Sequence, residues 1–118
     1  MDFQVKKLDS LTIIIVRDKL NHLSVDSVLN AIDDGFENVI LDLRNCSEVK
    51  CLNDINIIKT LKQTRSEIEK SLVLCGVNSQ LLEHIDNKFN KDFFNIVPTR
   101  NEAVDMVYME EQERHFFR

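Results

Sequence analysis

The side chains able to do chemistry in this 118-residue chain are few and widely spaced. Cysteines stand at 46, 51 and 75, and two of them share the segment 45–54, NCSEVKCLND. A thiolate at Cys51 would be favoured by the free amides of a helix opening there and by Lys50, and Cys75, ending a strand, could approach from the same sheet edge. A thiol enzyme also needs a base, and spacing places neither His22 nor His84 beside Cys51. The competing reading is that all three are small apolar gap-fillers. His22, His84 and His115 have no metal-ligand spacing, so no metal site is expected. Two glycines, Gly35 and Gly76, exclude a glycine-rich phosphate cradle. No G-x-S-x-G nucleophile turn is present. Asp42 lies near the C-terminal end of an apolar strand, where parallel sheets build their sites; its alternative role is to cap a nearby loop or helix. Asp33-Asp34 and Glu110, Glu111 and Glu113 read as solvent-facing carboxylates of ordinary pKa. No catalytic residue, no metal and no cofactor is expected.

The elements that must position these groups belong to one domain. A chain of this length buries roughly two thirds of its extended surface, and 43% apolar residues can fill that core without disulfides. A net charge of −5 favours solubility and disfavours nucleic acid as a partner. The longest apolar run, 11–16, is too short for a bilayer, and the first ten residues lack an apolar signal core. A cytoplasmic protein without membrane insertion is the expectation.

Phe3, Val5 and Leu8 alternate with polar residues, Asp9-Ser10 supplies a turn, and 11–16 is apolar throughout. That predicts an antiparallel pair whose first member is an edge. A helix is predicted over 24–34, between an N-cap at Ser24 and Gly35. The run 36–43 predicts a central parallel strand. A helix from about 53 to 66, capped by Asn53 or Asp54, carries Ile55, Ile58 and Leu61. The run 71–75, closed by Gly76, is a strand. Asn78 caps a helix bearing Leu81, Leu82, Ile85 and Phe89, and 93–97 is a last strand. Thr99-x-x-Glu102 then opens a helix with Ala103, Val104, Val107 and Tyr108 on its core side. The predicted class is α/β, order ββαβαβαβα, with about five strands and about four helices in one mixed sheet.

In order and spacing, residues 3–109 resemble a STAS domain, the fold of bacterial anti-sigma factor antagonists. The landmarks are the opening strand pair, the strand at 13–16, Val39-Ile-Leu-Asp-Leu43 with the loop and helix after it, Leu72-Val-Leu-Cys-Gly76, and the helix start at Asn101-Glu-Ala103. The resemblance implies a single STAS-like domain over 1–118, with a C-terminal helix extension over 110–118. In that family the loop after the third strand carries Asp-Ser-x-Gly, whose serine is phosphorylated by a partner kinase. Here the run is Lys50-Cys51-Leu52-Asn53, which has no hydroxyl to phosphorylate, so no phosphoacceptor is expected.

The resemblance therefore implies a non-enzymatic protein-binding module. Its docking surface would comprise Lys50, Cys51, Leu52, Asn53, Asp54, Asn56 and Ile57, and its partner an anti-sigma or sensor kinase-like protein. An accessory subunit of a membrane transporter fits the same surface, and thiol-based sensing or catalysis at Cys51 is the reading from another class. Phe116 and Phe117 close a charged tail. Adjacent exposed rings forgo a burial of roughly 1.5–3 kcal/mol each, so they are expected to fold back on their own chain or to form a homodimer contact, the latter being preferred here; the competing reading is a frayed end with two incidental aromatics.

Overall fold

The computed structural model describes residues 3–8, 11–16, 38–45, 52–88 and 95–116. The helix expected over 24–34 lies outside them. Strands β1 (Phe3–Leu8) and β2 (Leu11–Val16) pair antiparallel in the register Phe3↔Val16 to Leu8↔Leu11. Strands β3 (Asn38–Asp42), β4 (Leu72–Cys75) and β5 (Asn95–Val97) follow in parallel, giving the sheet order β1-β2-β3-β4-β5. Among the described residues three helices accompany them: α1 (Leu52–Glu67), α2 (Ser79–Lys88) and α3 (Arg100–Phe116).

The strand patterns explain this order. β1 leaves Gln4, Lys6, Lys7 and Leu8 exposed and stands at the edge, whereas every residue of β2, β3 and β4 is buried, as strands covered on both faces must be. Side chains alternate between faces. One face carries Leu11, Ile13, Ile15, Ile40, Val73 and Cys75, packed under Ala103 and Val107 of α3. The other carries Ile14, Val16, Val39, Leu41, Leu72 and Leu74, all buried.

The helix ends follow local rules. Asn78 Oδ1 accepts from the Leu81 amide at 2.8 Å and caps α2. Thr99 Oγ1 accepts from the Glu102 amide at 3.2 Å and caps α3. At the end of α1 the Lys70 amide donates to the Arg65 carbonyl at 2.8 Å and the Glu69 amide to that of Ser66 at 3.1 Å. This is a Schellman ending with Glu69, at φ 58°, in the left-handed position.

Two apolar residues of the predicted helices face outward, one of them, Tyr108, against the expected core side. Leu82 is 39% exposed because Leu81 and Ile85 take the buried stripe of α2. Tyr108 is 42% exposed because the sheet-facing stripe of α3 runs from Ala103 and Val107 to 110, 111 and 114. α1 begins at Leu52, so Asn53 and Asp54 fall in its first turn.

Candidate functional site

Along α3 the sheet presents three cross-strand rows, fixed by the pairing register. The middle row is chiefly apolar, with Ile13, Ile40 and Val73. The rows at the two ends of the strands each carry polar residues among apolar ones, Asn38 and Ser71 beside Leu11 in one and Asp42 between Ile15 and Cys75 in the other, and these polar residues are tied to the two ends of α3.

At the C-terminal end of the strands stands Asp42, 2% exposed. Its Oδ2 accepts from Arg100 Nε at 3.1 Å and Nη2 at 3.0 Å, and its Oδ1 accepts from the Arg44 amide at 3.0 Å. Asp42 therefore caps the loop after β3, as one of the two sequence readings had it. It also anchors the first residue of α3. Gly76 closes β4 beside it at φ 67°, where an added Cβ would meet Arg44 Cβ at 2.8 Å and Arg44 N at 2.9 Å. Only glycine fits that approach. Cys75 pairs with Asp42 across the sheet and belongs to the core. Burial first, and then the Asp42 charge, push its thiol up to about 12 against the opposing pull of Arg100 and Arg44. At neutral pH this thiol is protonated and inert. The Asp42 carboxylate is committed to two partners, so neither group is a nucleophile or a base.

At the N-terminal end of the strands lie Asn38 and Ser71, and Asn95 opens β5 one row further in, opposite Val73. Asn38 Nδ2 donates to Glu111 Oε1 at 2.7 Å, while its Oδ1 accepts from the Ser71 amide at 2.8 Å. Ser71 Oγ donates to Glu110 Oε1 at 2.7 Å, and Asn95 Nδ2 donates to Glu110 Oε2 at 2.6 Å. Arg114 reaches Ser71 Oγ at 3.0 Å, Asn38 Oδ1 at 3.3 Å and Glu111 Oε1 at 3.1 Å. Lys70 Nζ stands 3.4 Å from the same Glu111 oxygen. The Asn38 bond, with Arg114 and Lys70 behind it, draws the Glu111 carboxyl down to about 2 against the smaller opposing effect of burial. The expectation of solvent-facing carboxylates is thus corrected at Glu110 and Glu111, since both bond across to the sheet, and that of an ordinary pKa is corrected at Glu111. The available signal was the stripe itself, since 103, 107, 110, 111 and 114 share one helical face. Beside this cluster opens a cleft of about 300 Å³ lined by Ile68, Glu69, Lys70, Glu111, Arg114 and His115.

Lys50 and Cys51 lie outside the described residues, as do the side chains of Leu52, Asn53, Asp54, Asn56 and Ile57, and also Cys46 and Phe117. The backbone of 52–57 forms the opening turns of α1, the next described element after β3. Phe116 is 82% exposed at the last described position of α3. Among the described residues no group of three or more His, Cys, Asp or Glu side chains is placed to hold a metal ion.

The architecture is that of known proteins. A candidate anti-sigma factor antagonist from Thermotoga maritima superposes with a TM-score of 0.79 at 17% identity, over 90% of this chain and 94% of its own. An anti-sigma factor antagonist (STAS) domain protein from Planctomyces limnophilus gives 0.76 at 15% identity, over 92% and 99%. The chain has the STAS fold. The murine anion transporter Slc26a9 contains the same fold, with a TM-score of 0.71 at 16% identity over 88% of this chain and 18% of the transporter. No family model matches the sequence, and no curated protein does.

Proposed function

We propose that the chain is a non-enzymatic regulatory module that binds a protein partner through the loop after β3 and the opening turns of α1, as an anti-sigma factor antagonist would. What supports this reading is the STAS fold, together with the resemblance that sets Lys50-Cys51-Leu52-Asn53 where that family bears Asp-Ser-x-Gly. A phosphate adds roughly −1.5 to −2 charge and three acceptor oxygens at such a position. Without a hydroxyl at residue 51, binding is constitutive or answers to another input. Lys50, Asn53, Asp54 and Asn56 supply polar contacts in this proposal, and Cys51, Leu52 and Ile57 the apolar ones. The partner is an anti-sigma or sensor kinase-like protein, met in the cytoplasm.

The test compares wild type with Leu52→Glu and Ile57→Glu in capture from the native cell and in urea unfolding. A discrete protein retained by wild type and lost by both variants, with unfolding free energies changed by under about 0.5 kcal/mol, supports the docking face. Unfolding earlier by about 2–5 kcal/mol marks these residues as core and overturns it.

The likeness to Slc26a9 favours a second reading, a STAS unit attached to a transporter. Among the described residues no helix is long and apolar enough to cross a membrane. In this reading the captured partner is an integral membrane protein. Thiol chemistry at Cys51 is tested by alkylation, where a pKa below about 7 would support it. The exposure of Phe116 keeps a Phe116–Phe117 homodimer contact in the proposal. Sedimentation of a Phe116→Ser, Phe117→Ser variant across concentrations decides it.

A further inference from the structure

We propose that the outer half of α3, residues 110–116, is a strap that leaves the sheet as a local unit, with the cluster of Asn38, Ser71, Glu110, Glu111 and Arg114 as its catch. α3 changes its mode of attachment half-way along. Ala103 and Val107 are its buried residues, and both lie in the inner half, over the apolar middle of the sheet. Beyond Val107 the sheet-facing positions are Glu110, Glu111 and Arg114, and the bonds described for them are polar.

The sheet is polar at the same place. Asn38 and Ser71 are buried polar residues at the starts of the β3 and β4 rows, in positions equivalent to those filled by Ile40 and Val73 one step further in. A joint meant only to be permanent gains more from apolar residues there. A joint with polar groups on both sides can open without presenting apolar surface to water, because water replaces each bond as it breaks. Water is already at hand, since the 300 Å³ cleft exposes one side of Glu111 and Arg114. Once released, this stretch has little means of holding itself, because two helical turns without tertiary support are marginal in water.

Native-state hydrogen exchange of the full chain, read residue by residue, tests the proposal. In wild type the amides of 112–116 are expected to exchange through an opening that leaves β3, β4 and residues 103–107 protected. Glu111→Gln and Arg114→Gln should each speed exchange of the strap by on the order of tenfold, with the amides of β3 and β4 unchanged. About 1 M salt, where the screening length is near 3 Å, should act in the same direction. If strap and sheet exchange together in wild type, or if both variants accelerate the whole chain equally or unfold it, α3 is one cooperative piece with the sheet and the proposal fails.

Discussion

The two ends of α3 are fixed to the sheet by the same chemistry, an arginine and a carboxylate, in different surroundings. At the inner end the carboxylate of Asp42 is 2% exposed, although its partner Arg100 is 27% exposed, so the difference between the two ends lies in the carboxylate. At the outer end Glu111 and Arg114 are 27% and 25% exposed and share their bonds with Asn38, Ser71 and Lys70. An ion pair is difficult to replace where its charged atoms are buried, since a lost partner leaves a desolvated charge. It is replaceable where water reaches both groups. The inner end is therefore a rivet and the outer end a catch, although a list of ion pairs would rank them equal. The rivet lies beside the loop that opens the proposed docking surface, which keeps that loop's starting point rigid. The catch lies at the opposite edge of the sheet.

The sharpest way to break this comparison is at Arg100. Arg100→Met removes both donors to Asp42 Oδ2 and leaves a buried carboxylate with the Arg44 amide alone. Loss of about 3 kcal/mol or more is expected in urea unfolding at neutral pH. Adding Asp42→Asn should recover a substantial part, because a neutral amide costs less to bury than an unpaired charge. A loss under about 1 kcal/mol for Arg100→Met would place this pair with ordinary surface bridges and erase the distinction.

The catch predicts a smaller and pH-dependent effect. Glu111→Gln keeps the shape and removes the charge, so a loss of about 0.5–1.5 kcal/mol is expected at neutral pH. The folded protein holds the Glu111 carboxyl at about 2, below its ordinary 4.5. A depressed carboxylate stabilises the fold fully above its unfolded pKa, and that stabilisation disappears as pH falls through the folded value. The difference between wild type and Glu111→Gln should hold at pH 7 and close between about 4.5 and 2. Chemical unfolding of both proteins at several pH values measures it, and a gap that widens in acid would reverse the assigned direction.

How much of this was legible in the sequence depends on distance along the chain. The strand pair, the central parallel strand at 38–42, the glycine closing β4 and the caps at Asn78 and Thr99 rest on neighbours a few residues apart, and periodicity with turn chemistry was enough to find them. Asp42 was recognised as unusual, but its partner Arg100 lies 58 positions away, and no local pattern names it. Glu110 and Glu111 read as exposed in the sequence because an acidic run late in a helix looks like a solvated face. Their partners Ser71, Asn95 and Asn38 become neighbours only once three strands are in register. Tyr108 was misplaced by the same error, since its exposure follows from the sheet-facing stripe passing to 110 and 111. Leu52, Asn53 and Ile57 remain known through resemblance and helix position alone.

The smallest effect expected belongs to the turn behind the catch, and it carries the comparison to the backbone. Among the described residues each end of the sheet has one residue in the left-handed region, Gly76 at φ 67° and Glu69 at φ 58°. At Gly76 the loop of Arg44 approaches so closely that no Cβ is tolerated. At Glu69 a full side chain is present, so the neighbours leave room and the remaining penalty is that of the backbone, about 1–2 kcal/mol for a residue with a Cβ. Glu69→Gly relieves this penalty. It also lets the unfolded chain gain freedom, which offsets roughly 0.5–1 kcal/mol, and it removes whatever the Glu69 side chain contributes through its own contacts. The net expectation is a stabilisation of about 0.5 kcal/mol. Glu69→Ala separates the two parts, because alanine keeps the backbone penalty and loses only the side-chain contacts, so it should be neutral or slightly destabilising. Thermal melts of the three proteins under one buffer give the order Gly above Glu above or equal to Ala. If Glu69→Gly melts below Glu69→Ala, the side chain is not what opposes the gain and the left-handed penalty at 69 is smaller than the roughly 0.5–1 kcal/mol that glycine returns to the unfolded chain, which would weaken the contrast with Gly76.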